Sequence, residues 1–149
     1  MSDQAELLGT PFPFTFDGKD YLVSERTFEQ EGLFKIFLEA EALRVIQRHA
    51  ANLNPMEFMI QMTGWRQDCS TFQYAVGTQN YLMGEYSPDG MRYLAYLALK
   101  EKSAGLVTPA LVDRIFKDEK KWKELQAILS RLNDPNSKRP GDQNLPANP

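Results

Sequence analysis

The feature that most constrains this 149-residue sequence is a series of helix start signals after Ser24. Thr27 precedes Gln30 by three residues, which is the spacing of a capping box, and Asn54 precedes a proline suited to the first turn of a helix. Further start signals stand at Ser87-Pro88, Thr108-Pro109 and Asp118. Apolar residues recur at helical spacing after each signal. The sequence therefore predicts about five helices, ending near residues 51, 82, 105, 116 and 132.

The first two predicted helices carry the most apolar residues. A broad apolar face between Leu33 and Ile46 predicts that the first helix is deeply packed. In the second helix, a seam of heptad type alternates spacings of four and three residues. Its members are Phe58, Met62, Trp65, Cys69, Phe72 and Val76. The seam predicts antiparallel packing on the first helix, and Gly77 and Gly84 weaken the end of the second.

The N-terminal region has the pattern of a β-hairpin. Phe12, Phe14 and Phe16 alternate with other residues, as in a strand with one buried face, and Asp17-Gly18 supplies the positive φ of a tight turn. Pro13 cannot donate a ladder hydrogen bond, so this strand lies at an edge or starts at Phe14. Because an isolated hairpin is marginally stable, it must pack on helices or on the sheet of another chain.

These patterns together predict a mainly α (α+β) fold, an antiparallel bundle with a small N-terminal hairpin. We expect a single helical domain at 12–133 with the hairpin at 12–26, preceded by a flexible N-terminus at 1–11. Residues 134–149 contain four prolines and one large apolar residue, so burial cannot offset their ordering entropy. We predict a disordered Pro-rich tail there.

Composition narrows the class of protein. The net charge of −3 provides no generally basic surface for nucleic acid, and the basic segment 117–123 is interleaved with acids. No apolar stretch reaches the roughly 20 residues that span a bilayer, and the N-terminus lacks the pattern of a signal peptide. A lone cysteine cannot form an intramolecular disulfide. We expect a cytoplasmic protein that binds neither membrane nor nucleic acid.

Few residues could carry catalysis. His49 is the only histidine, which leaves Cys69 with His49 as the one nucleophilic pair that the sequence offers. Cys69 stands in the apolar seam, where a thiolate is costly. Motifs for dinucleotides, phosphate loops, zinc hydrolases and thioredoxin chemistry do not occur in the sequence. The sequence predicts no enzyme, no cofactor and no metal, and a small enzyme would require a reactive Cys69 or His49.

Methionine and aromatic residues are the most unusual part of the composition. Flexible methionines suit adaptable binding surfaces, and uncovered apolar patches usually contact another chain. Packing of these residues in the core and their use at a partner or self-association surface both remain open. The residues that we predict to bind a protein partner, from expected apolar exposure, are Met56, Met59, Trp65, Tyr81, Tyr86 and Trp122.

Two segments resemble small tail-region proteins of long-tailed bacteriophages, most closely the tail assembly chaperones. They are FTFDGKDYLVSERTF at 14–28 and LVTPALVDRIFKDEKKW at 106–122, on either side of a helical body. The resemblance implies a protein that coats the tape-measure protein during tail assembly in the host cytoplasm, binds through apolar helix surfaces and is commonly absent from the virion. The Pro-rich end after Asn133 has no counterpart in that pattern.

The sequence therefore suggests a non-enzymatic phage tail assembly chaperone that binds the tape-measure protein. The alternative is a virion structural subunit of the phage tail or connector region, which would add its hairpin edge to a neighbouring sheet. These hypotheses differ in location, because a structural subunit stays in the virion.

Overall fold

The computed structural model describes residues 11–134, which form two strands and six helices. The strands are β1 (Phe12–Phe16) and β2 (Lys19–Val23). The helices are α1 (Phe28–His49), α2 (Pro55–Ser70), α3 (Gln79–Tyr86), α4 (Pro88–Ser103), α5 (Pro109–Lys117) and α6 (Glu119–Asn133). The mainly α class with an N-terminal hairpin is confirmed. Apart from Pro11 and Asp134, the predicted flexible N-terminus and Pro-rich tail lie outside the described residues.

Contacts divide the described chain into two compact units. Residues 11–26 and 95–134 form what we call the hairpin unit, and residues 27–94 form the helical unit. The helix α4 contributes its first residues to the helical unit and the rest to the hairpin unit. A single domain at 12–133 stays a prediction.

The hairpin forms as its sequence pattern predicts. β1 and β2 pair antiparallel, with Phe14 opposite Tyr21 and Phe16 opposite Lys19. The turn between them places Asp17 at φ 53° and Gly18 at φ 73°, the left-handed conformation that a two-residue hairpin turn requires. Phe14 and Phe16 are buried. The alternation of residues in β1 therefore gives the sheet one buried face.

That buried face packs on helices of the hairpin unit. The core joins the hairpin side chains to apolar residues of α4, α5 and α6. Its fully buried members include Phe14, Val23, Leu99, Val112, Ile115 and Leu125. Cations cover three hairpin rings, with Arg131 5.8 Å from the centre of Phe12, Lys121 5.6 Å from that of Phe14 and Arg114 5.5 Å from that of Phe16. The hairpin was expected to pack either on helices or on the sheet of another chain, and it packs on helices of its own chain.

The helical unit has a smaller core. Its buried hydrophobic side chains are Phe34, Leu38, Tyr81 and Leu94. Thr27 caps α1 by accepting a hydrogen bond from the Gln30 N–H at 3.1 Å, as the sequence predicts. The expected deep packing of α1 is wrong, because Ile36 is 60% exposed and Val45 48% exposed. The unit has too few other elements to cover more than one side of a 22-residue helix.

The predicted second helix is divided in two. α2 ends at Ser70, Phe72 adopts φ 58°, and Gly77 adopts φ 90° before Thr78 caps α3 through the Tyr81 N–H. A helical backbone cannot include these left-handed residues. The first four seam residues, Phe58 to Cys69, are half-buried, whereas Phe72 and Val76 are exposed. The extension of the seam through Val76 is therefore wrong, and the division accounts for the sixth helix.

Candidate protein-binding surface

Exposed apolar side chains are concentrated in the helical unit. Within residues 11–134, fourteen large hydrophobic side chains are exposed, and twelve of them lie between Phe28 and Tyr86. The same unit buries only four hydrophobic residues. Contiguous apolar surface that the chain itself leaves uncovered marks protein interaction sites. The helical unit is therefore the part of the described chain most suited to bind another protein.

Three of these exposed residues lie together near the start of α2. Met56, Met59 and Ile60 are 73%, 68% and 65% exposed, and their spacing of three and four residues places them on one face of the helix. We call these three residues the α2 outer face. The start of α2 is fixed by a capping box, in which Asn54 accepts from the Glu57 N–H at 2.8 Å and Glu57 accepts from the Asn54 N–H.

The opposite side of α2 packs on α1. Trp65 is half-buried there, and its indole Nε1 donates a hydrogen bond to the backbone oxygen of Glu39 at 2.9 Å. This bond fixes the rotation of α2 about its axis. The α2 outer face is consequently held toward solvent within the helical unit.

The six predicted binding residues divide into exposed and packed groups. Met56, Met59 and Tyr86 are exposed, whereas Trp65 is half-buried. The expected exposure of Tyr81 is wrong: Tyr81 is 2% exposed, because it packs edge-to-face against the ring of Phe34 at 5.0 Å.

Trp122 also departs from the expectation of apolar exposure. It is half-buried in the hairpin unit, where its ring lies edge-to-face on Phe116 at 5.0 Å. Trp122 belongs to the border of that core. Of the predicted residues, Met56 and Met59 are brought onto one face, and Tyr86 lies on a separate helix.

Sequence reasoning missed several exposed apolar residues. Met83 was detectable from its spacing of three from Tyr86. Phe28 is 93% exposed at the first position of α1, before the buried part of that helix begins. Phe72 was assigned to the seam because nothing in the spacing indicates its left-handed conformation.

The candidate nucleophile does not form a catalytic pair. Burial raises the pKa of Cys69 to about 11, with further contributions from its hydrogen bond to Glu39 and the charge of that carboxylate. Glu39 itself pairs with Lys35 at 3.2 Å. His49 is exposed and lies ten residues beyond Glu39 on α1, about 15 Å along the axis. Over residues 11–134 there is no cluster of three or more candidate metal ligands.

We expect Cys69 to react slowly with alkylating agents. A pKa near 11 in place of 9.0 reduces the thiolate at pH 8 by about a hundredfold. The rate of iodoacetamide labelling, followed by mass spectrometry, should be about a hundredfold below that of the denatured chain and should rise up to pH 11. Since the folded chain holds the proton more tightly than the unfolded chain, the free energy of unfolding should fall as pH rises above 9. Equal labelling of folded and denatured protein at pH 8 would contradict the burial of this thiol.

No protein-family model, curated protein or solved structure matches this chain. Among the helices formed between residues 11 and 134, none is long and apolar enough to cross a membrane.

Proposed function

We propose that this chain is a non-enzymatic tail assembly chaperone of a long-tailed bacteriophage and binds the tape-measure protein in the host cytoplasm. The observation that supports the proposal most strongly is the exposure of Met56, Met59 and Ile60 on one face of α2. Binding there would replace water with apolar surface of the partner, which is the main favourable contribution in most protein associations.

The side chains of the α2 outer face suit a partner with many similar segments. Methionine has three rotatable bonds and a polarizable sulfur, so it adapts to apolar surfaces of different shape. A helix presenting apolar side chains at spacings of three and four residues can pack against amphipathic helices. A chaperone that covers successive stripes of one long partner needs this tolerance.

The hairpin gives less support to the alternative of a virion subunit that shares a sheet. On β2, the Leu22 N–H donates to the Ser103 hydroxyl at 3.2 Å, and directly after the strand the Ser24 N–H donates to the Ala98 oxygen at 3.0 Å. On β1, Pro13 lies opposite Leu22 and has no N–H. Both edges therefore offer few donors to an added strand, which favours the chaperone.

We predict that Met56→Ser with Met59→Ser will weaken binding to the tape-measure protein at least tenfold. The two substitutions remove apolar contact at positions where the chain itself makes little, so the fold should be retained. The test is co-expression with the tape-measure protein of the same phage, followed by co-purification and measurement of the partner in the soluble fraction.

The matched control is Leu22→Ser with Leu106→Ser, which removes two exposed apolar residues from the hairpin unit. This control should hold the partner as well as the unsubstituted chain does. The proposal fails if the partner is equally soluble without this protein. The proposed surface is wrong if the folded Met56 and Met59 variant retains full binding.

A further inference from the structure

We propose that residues 55–86 are a conformational switch, which is bent in the described structure and becomes one continuous helix when its apolar ridge is covered. The ridge is the heptad seam extended at the same spacings of four and three. Its nine positions are Phe58, Met62, Trp65, Cys69, Phe72, Val76, Gln79, Met83 and Tyr86, of which all but Gln79 are apolar. A strict heptad pattern of this length is typical of a single helix that packs along its whole length.

The bend divides the ridge into a packed part and an unpacked part. The first four positions, on α2, are half-buried. Beyond Ser70, four apolar positions are each more than half exposed. They are Phe72 at 65%, Val76 at 57%, Met83 at 62% and Tyr86 at 74%. In one continuous helix, these side chains would lie on the same face as Phe58, as their spacing in the sequence predicts. The bend instead separates them from that face.

The bend also contains backbone strain that the straight helix would release. Phe72 adopts φ 58°, and this left-handed conformation is unfavourable for a bulky side chain. The contact of its ring with Lys35, whose Nζ lies 5.6 Å from the ring centre, is a weak compensation at an exposed site. No proline stands between Pro55 and Pro88, so every residue in the interval can donate a helical hydrogen bond.

Two glycines and one buried tyrosine hold the bent form. Gly77 adopts φ 90°, which favours glycine. At Gly84, a Cβ would lie 2.4 Å from Cδ2 of Leu38, so the close approach of α3 to α1 requires a glycine or a displaced Leu38. Tyr81 packs on Phe34 in the core of the unit. The bent form is therefore the form of the free chain, and a partner covering the ridge would have to offset the exposure of Tyr81.

The test is the double substitution Gly77→Ala with Gly84→Ala in the full chain. Alanine at position 77 disfavours the bend because the position has a positive φ, and alanine at position 84 disfavours it because its Cβ would contact Leu38. Both alanines also favour a helix more than glycine does. If the glycines are only structural, the variant loses helix and stability. The switch predicts the opposite: circular dichroism should show a gain of about eight helical residues, and the Cα chemical shifts of residues 71–78 should become helical.

The chain supplies a matched control in Gly32→Ala with Gly64→Ala. Both glycines lie within helices and have no atom within 4 Å of an added Cβ. This control should raise stability slightly and leave the shifts of residues 71–78 unchanged. If the Gly77 and Gly84 variant loses helix, or if its residues 71–78 keep the shifts of turns, the proposal is overturned.

A distance measurement separates a continuous helix from two shorter ones. Spin labels on Met59→Cys and Met83→Cys, with Cys69→Ser, should give one narrow separation near 36 Å between the backbone positions in the Gly77 and Gly84 variant, since each helical residue advances about 1.5 Å. A separation unchanged from the parent chain would contradict the switch.

The inference rests on the proposed function only for the identity of the partner. Because both experiments use the chain alone, failure of the switch leaves the chaperone proposal standing.

Discussion

Replacement of Phe34 with alanine is expected to lower the free energy of unfolding by about 3–5 kcal/mol. Phe34 is fully buried and contacts three aromatic rings, Phe37, Tyr81 and Tyr93, with ring centres 5.0 to 6.4 Å away. The helical unit buries only three other hydrophobic residues, so it has little means to fill the cavity. Since whole domains are stable by about 5–15 kcal/mol, the loss should remove much of the structure of this unit. Urea denaturation followed by circular dichroism measures the effect.

The control for Phe34 lies on the same helix. Phe28 is 93% exposed, and Phe28→Ala should change the free energy of unfolding by less than about 0.5 kcal/mol. Comparable losses from the two substitutions would contradict the described burial of α1.

Phe14→Ala is expected to have a similarly large effect on the hairpin unit, of about 3–5 kcal/mol. Phe14 is 1% exposed at the centre of the core that joins β1 to the helices, and Lys121 lies over its ring. Loss of the ring leaves a cavity between strand and helices, and a two-stranded sheet without that support is marginally stable. Thermal unfolding, with near-ultraviolet circular dichroism as the signal, should show a lower midpoint.

The neighbouring Thr15 provides the contrast for Phe14. Its side chain is exposed and donates a hydrogen bond to Asp20 at 2.8 Å, so Thr15→Ala should cost at most about 0.5 kcal/mol. If Thr15→Ala is as harmful as Phe14→Ala, the assignment of the two faces of β1 is reversed.

The parts of the fold that depend on neighbouring residues could be predicted from the sequence. The side chains of the caps Thr27, Asn54, Thr108 and Asp118 each accept a hydrogen bond from the backbone N–H three residues later, and the Asp17-Gly18 turn has the expected positive φ. These features satisfy hydrogen bonds within a few residues, so the local sequence contains the information.

The extent of packing could not be predicted in the same way. Apolar spacing showed which residues of α1 share a face, but coverage of that face depends on which other elements reach it. The bend at Phe72 had only Gly77 and the cap residue Thr78 as local signals, and the helical spacing on both sides concealed it. Tyr81 was expected at the surface. Its burial depends on the contact between α3 and α1 that follows the bend, and the local sequence does not indicate that contact.

The candidate binding surface could be predicted only where it depends on local helix geometry. Met56 and Met59 follow the capping box of α2, so their shared face could be derived from helix geometry alone. Which side of α2 packs on α1 is decided by Trp65 and its bond to the Glu39 oxygen, a contact across 26 residues of sequence. The sequence alone could not distinguish the packed tryptophan from the exposed methionines.

Site-specific photo-crosslinking in infected cells tests the proposed function most directly. A benzophenone side chain in place of Met59 should form an adduct with the tape-measure protein, identified by mass spectrometry of the joined peptides, before tails are complete. The same group in place of Leu106, which is exposed in the hairpin unit, should form little of it. An adduct with the tape-measure protein from position 59 alone is the predicted result. Failure to obtain that adduct from position 59, or equal amounts from both positions, would contradict the α2 outer face as the binding surface.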